Sequence, residues 1–307
     1  MFSQPLLSIA MCTYNGAAYL KQQLDSIVTQ TWKNLEIVII DDCSTDSTPE
    51  ILHQYAVADS RIIVHQNAAN LGFVKNFEKA IQLCRGEFIA LADQDDIWDM
   101  NKIELQAKAL GDNLLIYHDS EFVDEHGQAL NRNMSDIRNF YRGKDNRHFI
   151  LENCVSGHSC LFKKELVQHL FPFPDNVFHD WWLAYIAASY GTIDFLPGRL
   201  VKYRQHTQAS TDILRAGPSK KRDILTHIQK ESDRVHTFAS AVPYNQDVAR
   251  FSQLLSSRLH QYFCFSLFLF MLRRKKILLF IQRKSPISKF NFLLKYLWGY
   301  KLKELLR

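Results

Sequence analysis

The sequence predicts an α/β fold: a mostly parallel central sheet flanked by helices, with a helical C-terminal extension. Three observations carry this. Short apolar runs of strand length alternate with amphipathic runs of helix length over the first hundred residues, the order that yields parallel strands joined by covering helices. Polar clusters stand where those strands end, at Thr13-Tyr14-Asn15, Asp41-Asp42 and Asp93-Gln94-Asp95-Asp96. Beyond residue 221 the chain reads as helical to its end.

Taken in order, residues 7–13 read as a buried strand and 19–30 as a helix. Residues 35–40, rich in Ile and Val, form a second strand. The helix over 48–55 carries Pro49 at an early position, where its missing amide hydrogen is tolerated. A strand at 62–65, a helix at 73–83 and a strand at 88–92 follow. Segment 119–153 is polar and reads as loop-rich. A strand over 159–162 and a helix over 164–170 come next, then a helix over 180–190 with Asp180 at its start. Residues 193–196 and 201–204 read as two short strands. Residues 212–221, with Gly217, Pro218 and a basic run, read as a linker that divides the chain into 1–211 and 212–307.

A chain of 307 residues accommodates one large α/β domain plus an appendage. With 47% hydrophobic and 22% charged residues the composition is that of a folded globular protein, so disorder does not dominate. The cysteines Cys12, Cys43, Cys84, Cys154, Cys160 and Cys264 are scattered. They argue against a disulfide framework or structural zinc and for a reduced, cytoplasmic setting. The N-terminal segment reads as a first core strand rather than a signal peptide. No apolar run reaches the ~18 residues of a membrane-spanning helix. The net charge of +5 hides an asymmetry. From Arg258 onward twelve Lys and Arg face one acid, Glu304, so the rest of the chain is net acidic. A uniformly basic nucleic-acid binder would look different.

In doubly wound sheets ligands bind at the carboxyl ends of the strands, and three polar strand ends converge there. Asp93, Asp95 and Asp96 repel one another unless a divalent cation binds. Mg²⁺ or Mn²⁺ takes such carboxylates and shares them with substrate phosphates. A solvated turn with Asp96 capping the next helix is the alternative; the buried strand before the cluster and Ile97-Trp98 after it favour the cation. One of Asp41 and Asp42 can accept the N3–H of uracil or thymine while the same segment forms a strand-to-helix turn, with Asp46 or Ser47 as N-cap. Gly72 in Asn70-Leu71-Gly72 suits a close approach. Lys75 either neutralises phosphate, contacts the base, or lies in solvent. In Phe178-His179-Asp180-Trp181-Trp182, Asp180 is a candidate general base and the rings a candidate wall for sugar faces. An N-cap Asp with two core tryptophans is equally open. In Tyr203-Arg204-Gln205-His206, His206 is a candidate metal or phosphate ligand and Arg204 a candidate phosphate partner.

TYNG (13–16), IIDDCSTDST (39–48), NLGFVKNFEKAI (70–81) and ALADQDDIW (90–98), in this order and spacing, resemble the inverting family 2 glycosyltransferases, which have the GT-A fold. SGHSCLFKKEL (156–166), FHDWW (178–182) and YRQH (203–206) are similar to bacterial rhamnosyltransferases and related surface-polysaccharide transferases. The resemblance spans residues 7–206. It implies a catalytic domain over 1–211, with a nucleotide-sugar half to about 98 and an acceptor half beyond. Thr13, Tyr14, Asn15, Asp41, Asp42, Asn70, Gly72, Lys75 and Asp93 would meet the donor. Asp93 and Asp95 would form the DxD, with Asp95 the direct ligand of Mn²⁺ or Mg²⁺ and His206 beside it. Asp180 would be the base, and His179, Trp181, Trp182 and Arg204 would meet the acceptor. His179 stands where many members carry Glu. Cys43 stands where glycine is common, so this turn forms without glycine's freedom.

The activity so implied is transfer of a sugar, with inversion, from dTDP-rhamnose or a UDP-sugar to a hydroxyl of a growing surface glycan such as lipopolysaccharide, capsule or another lipid-linked saccharide. A metal-dependent nucleotidyltransferase would need a Gly- and Lys/Arg-rich triphosphate loop, which TYNGAAY lacks. A non-catalytic nucleotide-sugar binding module would lack the base or an intact DxD. In the C-terminal region an apolar run over 262–272 leads directly into Arg273-Arg274-Lys275-Lys276. Too short to span a bilayer, it suits an anionic membrane interface, giving a peripheral location on the inner face of the cytoplasmic membrane. Packing of its phenylalanines on the catalytic domain is the alternative.

Overall fold

The computed structural model describes residues 4–207, 214, 224–241 and 245–305. The first half runs β1 (Leu7–Thr13), α1 (Ala17–Val28), β2 (Leu35–Asp41), α2 (Thr48–Ala58), β3 (Ile62–Gln66), α3 (Phe73–Leu83) and β4 (Phe88–Ala92). These four strands are parallel, in the order β3-β2-β1-β4. Every residue of β1 and β2 is buried, as expected for strands covered on both faces, which read as continuous apolar runs. Leu7, Ile9 and Met11 face one apolar layer, shared with α1 and α2. Ala10 and Cys12 face the other, shared with α3. Each helix presents the matching stripe: Leu20, Leu24 and Ile27 in α1, Phe77, Ala80 and Ile81 in α3, at helical spacing.

The second half is mixed. It comprises β5 (Ile97–Trp98), α4 (Lys102–Leu110), β6 (Leu115–Val123), β7 (Ala129–Asn133), α5 (Met134–Ile137), β8 (Leu161–Lys163), α6 (His179–Tyr190) and β9 (Ile193–Arg204). The sheet continues β4-β8-β6-β9-β5, with β7 on β6. β8 lies antiparallel between β4 and β6, while β6 and β9 pair in parallel. Three sequence expectations are corrected. The segment from 119 is not all loop, because β6 runs through it with His118, Asp119 and Ser120 buried. Two of these polar groups find distant partners: Asp119 accepts from Ser135, and Ser120 Oγ lies 2.8 Å from His158 Nε2. The two strands expected over 193–204 are one, with its register shifted opposite His118 and Asp119, where Pro197 and Gly198 fall in the extra stretch, as is usual at bulges. The helix expected at 164–170 is a 3-10 helix, Lys164–His169.

The C-terminal region holds α7 (Ile224–Ser240), α8 (Gln246–Ser257), α9 (Phe265–Arg273), α10 (Lys275–Leu278), α11 (Pro286–Leu294) and α12 (Tyr300–Leu305). The expected linker at 212–221 and the boundary after 211 lie outside the described residues, apart from Leu214. The helices beyond them share the apolar layer of α3 and α6: Phe238, Phe251, Leu255, Leu267 and Met271 join Phe77, Trp182 and Tyr185 in one core. The Phe238 ring stacks 4.2 Å from Tyr185, whose hydroxyl donates to the Phe238 carbonyl at 2.8 Å. Burying one such phenylalanine is worth about 2–3 kcal/mol. This explains why α6 is apolar on all sides, with eight buried residues out of twelve: the sheet covers one face and the C-terminal helices the other. Among the described residues no helix is long and apolar enough to cross a membrane.

Candidate functional site

The carboxyl ends of β1, β2 and β4 open side by side, and their loops are laced together. Thr13 Oγ1 donates to Asp41 Oδ1 at 2.9 Å. The Tyr14 N–H donates to Gln94 Oε1, and Gln94 Nε2 returns a bond to the Tyr14 carbonyl, at 2.8 and 3.0 Å. Asn15 adopts a positive φ of 47°. Its N–H donates to Ser44 Oγ, and its side-chain carbonyl accepts from Thr45 N–H. Ser47 stands at the N-cap of α2 without a side-chain cap bond, and Asp46 before it accepts from Thr48 N–H at 3.0 Å. Cys43 takes φ 64°, the left-handed conformation expected of the glycine it replaces.

Both aspartates of the second strand end are buried. Asp41 accepts from Thr13, Ser44 and Gln66 and lines a cavity of about 340 Å³ with Pro49, Leu52, His53, Ala56, Val64 and Gln66. Asp42 turns to the next loop, accepting from Asn67 Nδ2, Leu71 N–H and Gly72 N–H at 2.7, 2.9 and 2.9 Å. It fixes the turn in which Gly72 has φ 79° and Asn70 Oδ1 also accepts from Gly72 N–H. Lys75 is not brought to these carboxylates. Its ammonium donates to Glu78 and the Phe173 carbonyl and sits 3.4 Å from Asp175.

Two acid–imidazole groups follow β4. Asp95 Oδ2 lies 2.8 Å from His206 Nε2, although 111 residues separate them, and the His206 ring packs on Tyr19. Asp93 groups instead with Asp96 and His158, three ligand atoms within 4.8 Å of one another. His158 Nδ1 is 3.5 Å from Asp96 Oδ2 and 3.8 Å from Asp93 Oδ2, while Ser120 Oγ holds its other nitrogen. Such a second contact fixes the orientation of a ligating ring. His158 was missed as a candidate ligand; its signal was the motif SGHSC. Burial pushes the Asp96 carboxyl well above its usual range, reinforced by Asp95 and Asp93. Burial also pushes Asp93 up, but the His158 imidazole beside it prevails and holds it low.

The donor set suits a divalent cation. Asp96 Oδ1 accepts from Arg204 N–H at 3.0 Å, but its Oδ2 is buried without a hydrogen-bond partner. An orphan carboxylate oxygen is unfavourable unless a proton or cation takes it. Carboxylate oxygens with imidazole nitrogen are compatible with Mn²⁺ and, through the oxygens, Mg²⁺.

Asp180 lies half-buried in the first turn of α6. Burial, aided by the negative charge of Asp93, pushes its carboxyl up to about 7 against the pull of the Trp181 and Gly157 N–H groups. A base with that affinity is matched to proton transfer near neutrality. His179 is buried, stacked 4.0 Å from Phe77. Neither ring nitrogen has a partner, and burial lowers its pKa to about 4, so the ring is neutral. The expected acceptor wall is corrected. The Trp182 indole is buried and donates to the Leu170 carbonyl. The Trp181 indole donates to the Phe149 carbonyl and carries the Arg234 guanidinium over its ring. The exposed rings next to Asp180 are Phe178 and Phe73, stacked at 5.4 Å. Arg204 is likewise not free for phosphate. Buried over Tyr19, it donates to the carbonyls of Asp95 and Glu125 and to Gln22 Oε1, bracing the loop that bears the acids.

Comparison with known proteins agrees with this geometry. The profile of the family described as Glycosyl transferase family 2 matches residues 8–171. EpsH of Bacillus subtilis (strain 168) is 33% identical over 179 residues, covering 55% of this chain and 51% of EpsH. TuaG of the same organism, whose description names teichuronic acid biosynthesis, is 37% identical over 103 residues, 34% of this chain and 41% of TuaG. The chain thus spans about half or less of these relatives. The crystal structure of S. aureus TarS with UDP-GlcNAc superposes with a TM-score of 0.58 at 17% identity, covering 97% of this chain and 83% of that one, a likeness of fold.

Proposed function

Since the chain belongs to glycosyltransferase family 2, we propose that it transfers a sugar from a nucleoside-diphosphate donor to a hydroxyl of a surface or cell-wall glycan, inverting the anomeric carbon. The observation that carries this is the grouping of Asp93, Asp96 and His158 after β4, with Asp95 and His206 paired beside it and Asp180 near enough for the charge of Asp93 to help raise its carboxyl. The strand-end loops with Thr13, Tyr14, Asn15, Asp41 and Asn70 border the donor, and Asp41 faces its base from the cavity it lines. Asp180 takes the proton of the acceptor hydroxyl. That oxygen then forms its bond to the anomeric carbon on the face opposite the diphosphate, and the bond to the diphosphate breaks with its electron pair. A divalent cation, Mn²⁺ or Mg²⁺, held by Asp95 and His206 or by Asp93, Asp96 and His158, would supply positive charge beside the leaving diphosphate. Phe73 and Phe178 replace the tryptophans as the apolar wall for the acceptor.

The donor we propose is dTDP-rhamnose or a UDP-sugar. The acceptor is a lipid-linked saccharide such as a lipopolysaccharide or capsule precursor, met at the cytoplasmic face of the membrane. Thermal denaturation with UDP, dTDP, GDP and CMP, each with and without Mn²⁺, tests the donor side, because a ligand that binds the native state raises its stability. A metal-dependent shift with UDP or dTDP that is lost in Asp95→Ala is expected. Release of pyrophosphate from a nucleoside triphosphate and a sugar phosphate would instead make the protein a nucleotidyltransferase. Absence of any nucleotide shift would make it a protein without this donor site.

A further inference from the structure

The C-terminal helices bury one set of aromatic rings in the core but hold another set outside it. Tyr262, Phe263, Phe265 and Trp298 are each between 40% and 62% exposed. Three of them are nevertheless gathered into one cluster, the Phe263 ring lying 5.9 Å from Phe265 and 5.6 Å from Trp298, and Tyr262 adjoins Phe263 in the chain. The backbone beneath is pinned. Cys264 N–H donates to the Leu297 carbonyl and Gly299 N–H to the Tyr262 carbonyl, both at 2.8 Å, and Phe263 bridges Trp298. The two strands of chain approach so closely that a Cβ on Gly299 would collide with the Gln261 carbonyl oxygen. Large apolar side chains fixed in contact with one another yet open to water mark an interaction surface.

The surroundings select the partner. Phe265, Leu269 and Arg273, spaced four apart on α9, are all exposed, so an apolar stripe runs into a basic end that continues with exposed Lys275 and Lys276. On the other side the Lys301 ammonium stands 5.8 Å from the Tyr262 ring. From Arg258 to the end only Glu304 is acidic. A second copy of this chain applied through the same face would set like charges against like, which is unfavourable in a symmetric dimer. A bilayer with anionic headgroups meets both halves of the pattern: aromatic rings settle at the depth of the headgroups while lysine and arginine reach the lipid phosphates. We propose that the Tyr262–Phe263–Phe265–Trp298 cluster, extended by Leu269, is the surface by which the protein docks on anionic lipid. This rests on the membrane-face reading above and assigns it to one corner of the C-terminal region.

Trp298 makes the proposal directly measurable, since Trp32, Trp98 and Trp182 are buried and Trp181 is half-buried. The full chain is mixed with vesicles of phosphatidylglycerol and phosphatidylcholine, or of phosphatidylcholine alone, and read by co-sedimentation and by tryptophan emission with brominated-lipid quenching. Expected are binding to the anionic vesicles, weakened by salt, and a blue shift with quenching that Trp298→Phe removes. Phe265→Ser with Leu269→Ser should lower partition about tenfold or more, each ring or branched chain being worth over a kcal/mol on burial. Val57→Ser, at an exposed apolar position on α2, should change nothing, and nucleotide-induced thermal shifts should survive in every variant. Binding that the Phe265/Leu269 variant retains in full, with unquenched Trp298, overturns the assignment but leaves a membrane role standing elsewhere. Equal partition onto neutral vesicles overturns the anionic-lipid choice. No vesicle binding by the parent chain overturns both, and self-association lost in the Phe265/Leu269 variant would give the surface to a second copy.

Discussion

Replacing Asp180 with Asn should abolish transfer and make the protein more stable, but only above acid pH. Burial and the charge of Asp93 raise the Asp180 carboxyl from an ordinary 3.8 to about 7. A group with a raised folded-state pKa contributes stability that is fully present below 3.8 and is lost as pH climbs through about 7. At 1.36 kcal/mol per pH unit the loss at pH 8 is at most about 4 kcal/mol. Partial access to water reduces this to about 1–2 kcal/mol. Asn carries no charge and keeps one carbonyl for the Trp181 and Gly157 N–H groups. Its gain should raise Tm by about 3–5 °C at pH 8 and by nothing measurable near pH 4. Loss of the base should lower kcat by about 10²–10⁴-fold. Thermal denaturation of both proteins across pH 4–8, with a coupled assay for nucleoside-diphosphate release, measures both effects. A variant less stable at pH 8, or equally stabilised at every pH, would refute the account of a desolvated carboxylate.

Other outcomes follow from single features. Cys43→Gly relieves a positive φ of 64°; the left-handed strain of ~1–2 kcal/mol exceeds the entropy glycine adds, so Tm should rise by a degree or two with nucleotide binding intact. Asp96→Asn removes a buried orphan oxygen and should raise the stability of the metal-free protein while reducing the increment given by Mn²⁺, both read by calorimetry with chelator or metal. Gly299→Ala drives a Cβ into the Gln261 carbonyl and should cost about 2 kcal/mol or more, seen as a shifted urea midpoint.

The nucleotide side of the fold was legible because its signals are local. Short apolar runs named β1 and β2, and acids at the strand ends pointed to the crevice; even Asp95 and His206, distant in sequence, came out adjacent. What escaped is decided by partners far along the chain. Asp119 and Ser120 look like loop residues until Ser135 and His158 are seen to satisfy them. Pro197-Gly198 reads as a break, yet β9 absorbs it by shifting register. Trp181 and Trp182 are chemically fit for sugar, but residue type does not say which side of α6 meets the C-terminal helices. Arg204 carries the charge a phosphate wants and spends it on backbone carbonyls. The apolar run over 262–272, with packing on the catalytic domain as one of its two readings, was the sequence clue that something covers the outer face of α6.

That cover has a consequence for the order in which the molecule can be made. Among the described residues, the layer containing α1, α2 and α4 has its last member in Val201, whereas the layer around α6 includes residues as late as Tyr296. A ribosome adding about 5–20 residues per second needs several seconds or more for the stretch between. Throughout that interval the nucleotide side can be finished while Phe77, Trp182 and Tyr185 still await Phe238, Phe251 and Met271. Nascent chains halted after β9 should therefore present a sticky half-molecule to chaperones, and full-length release should end that contact.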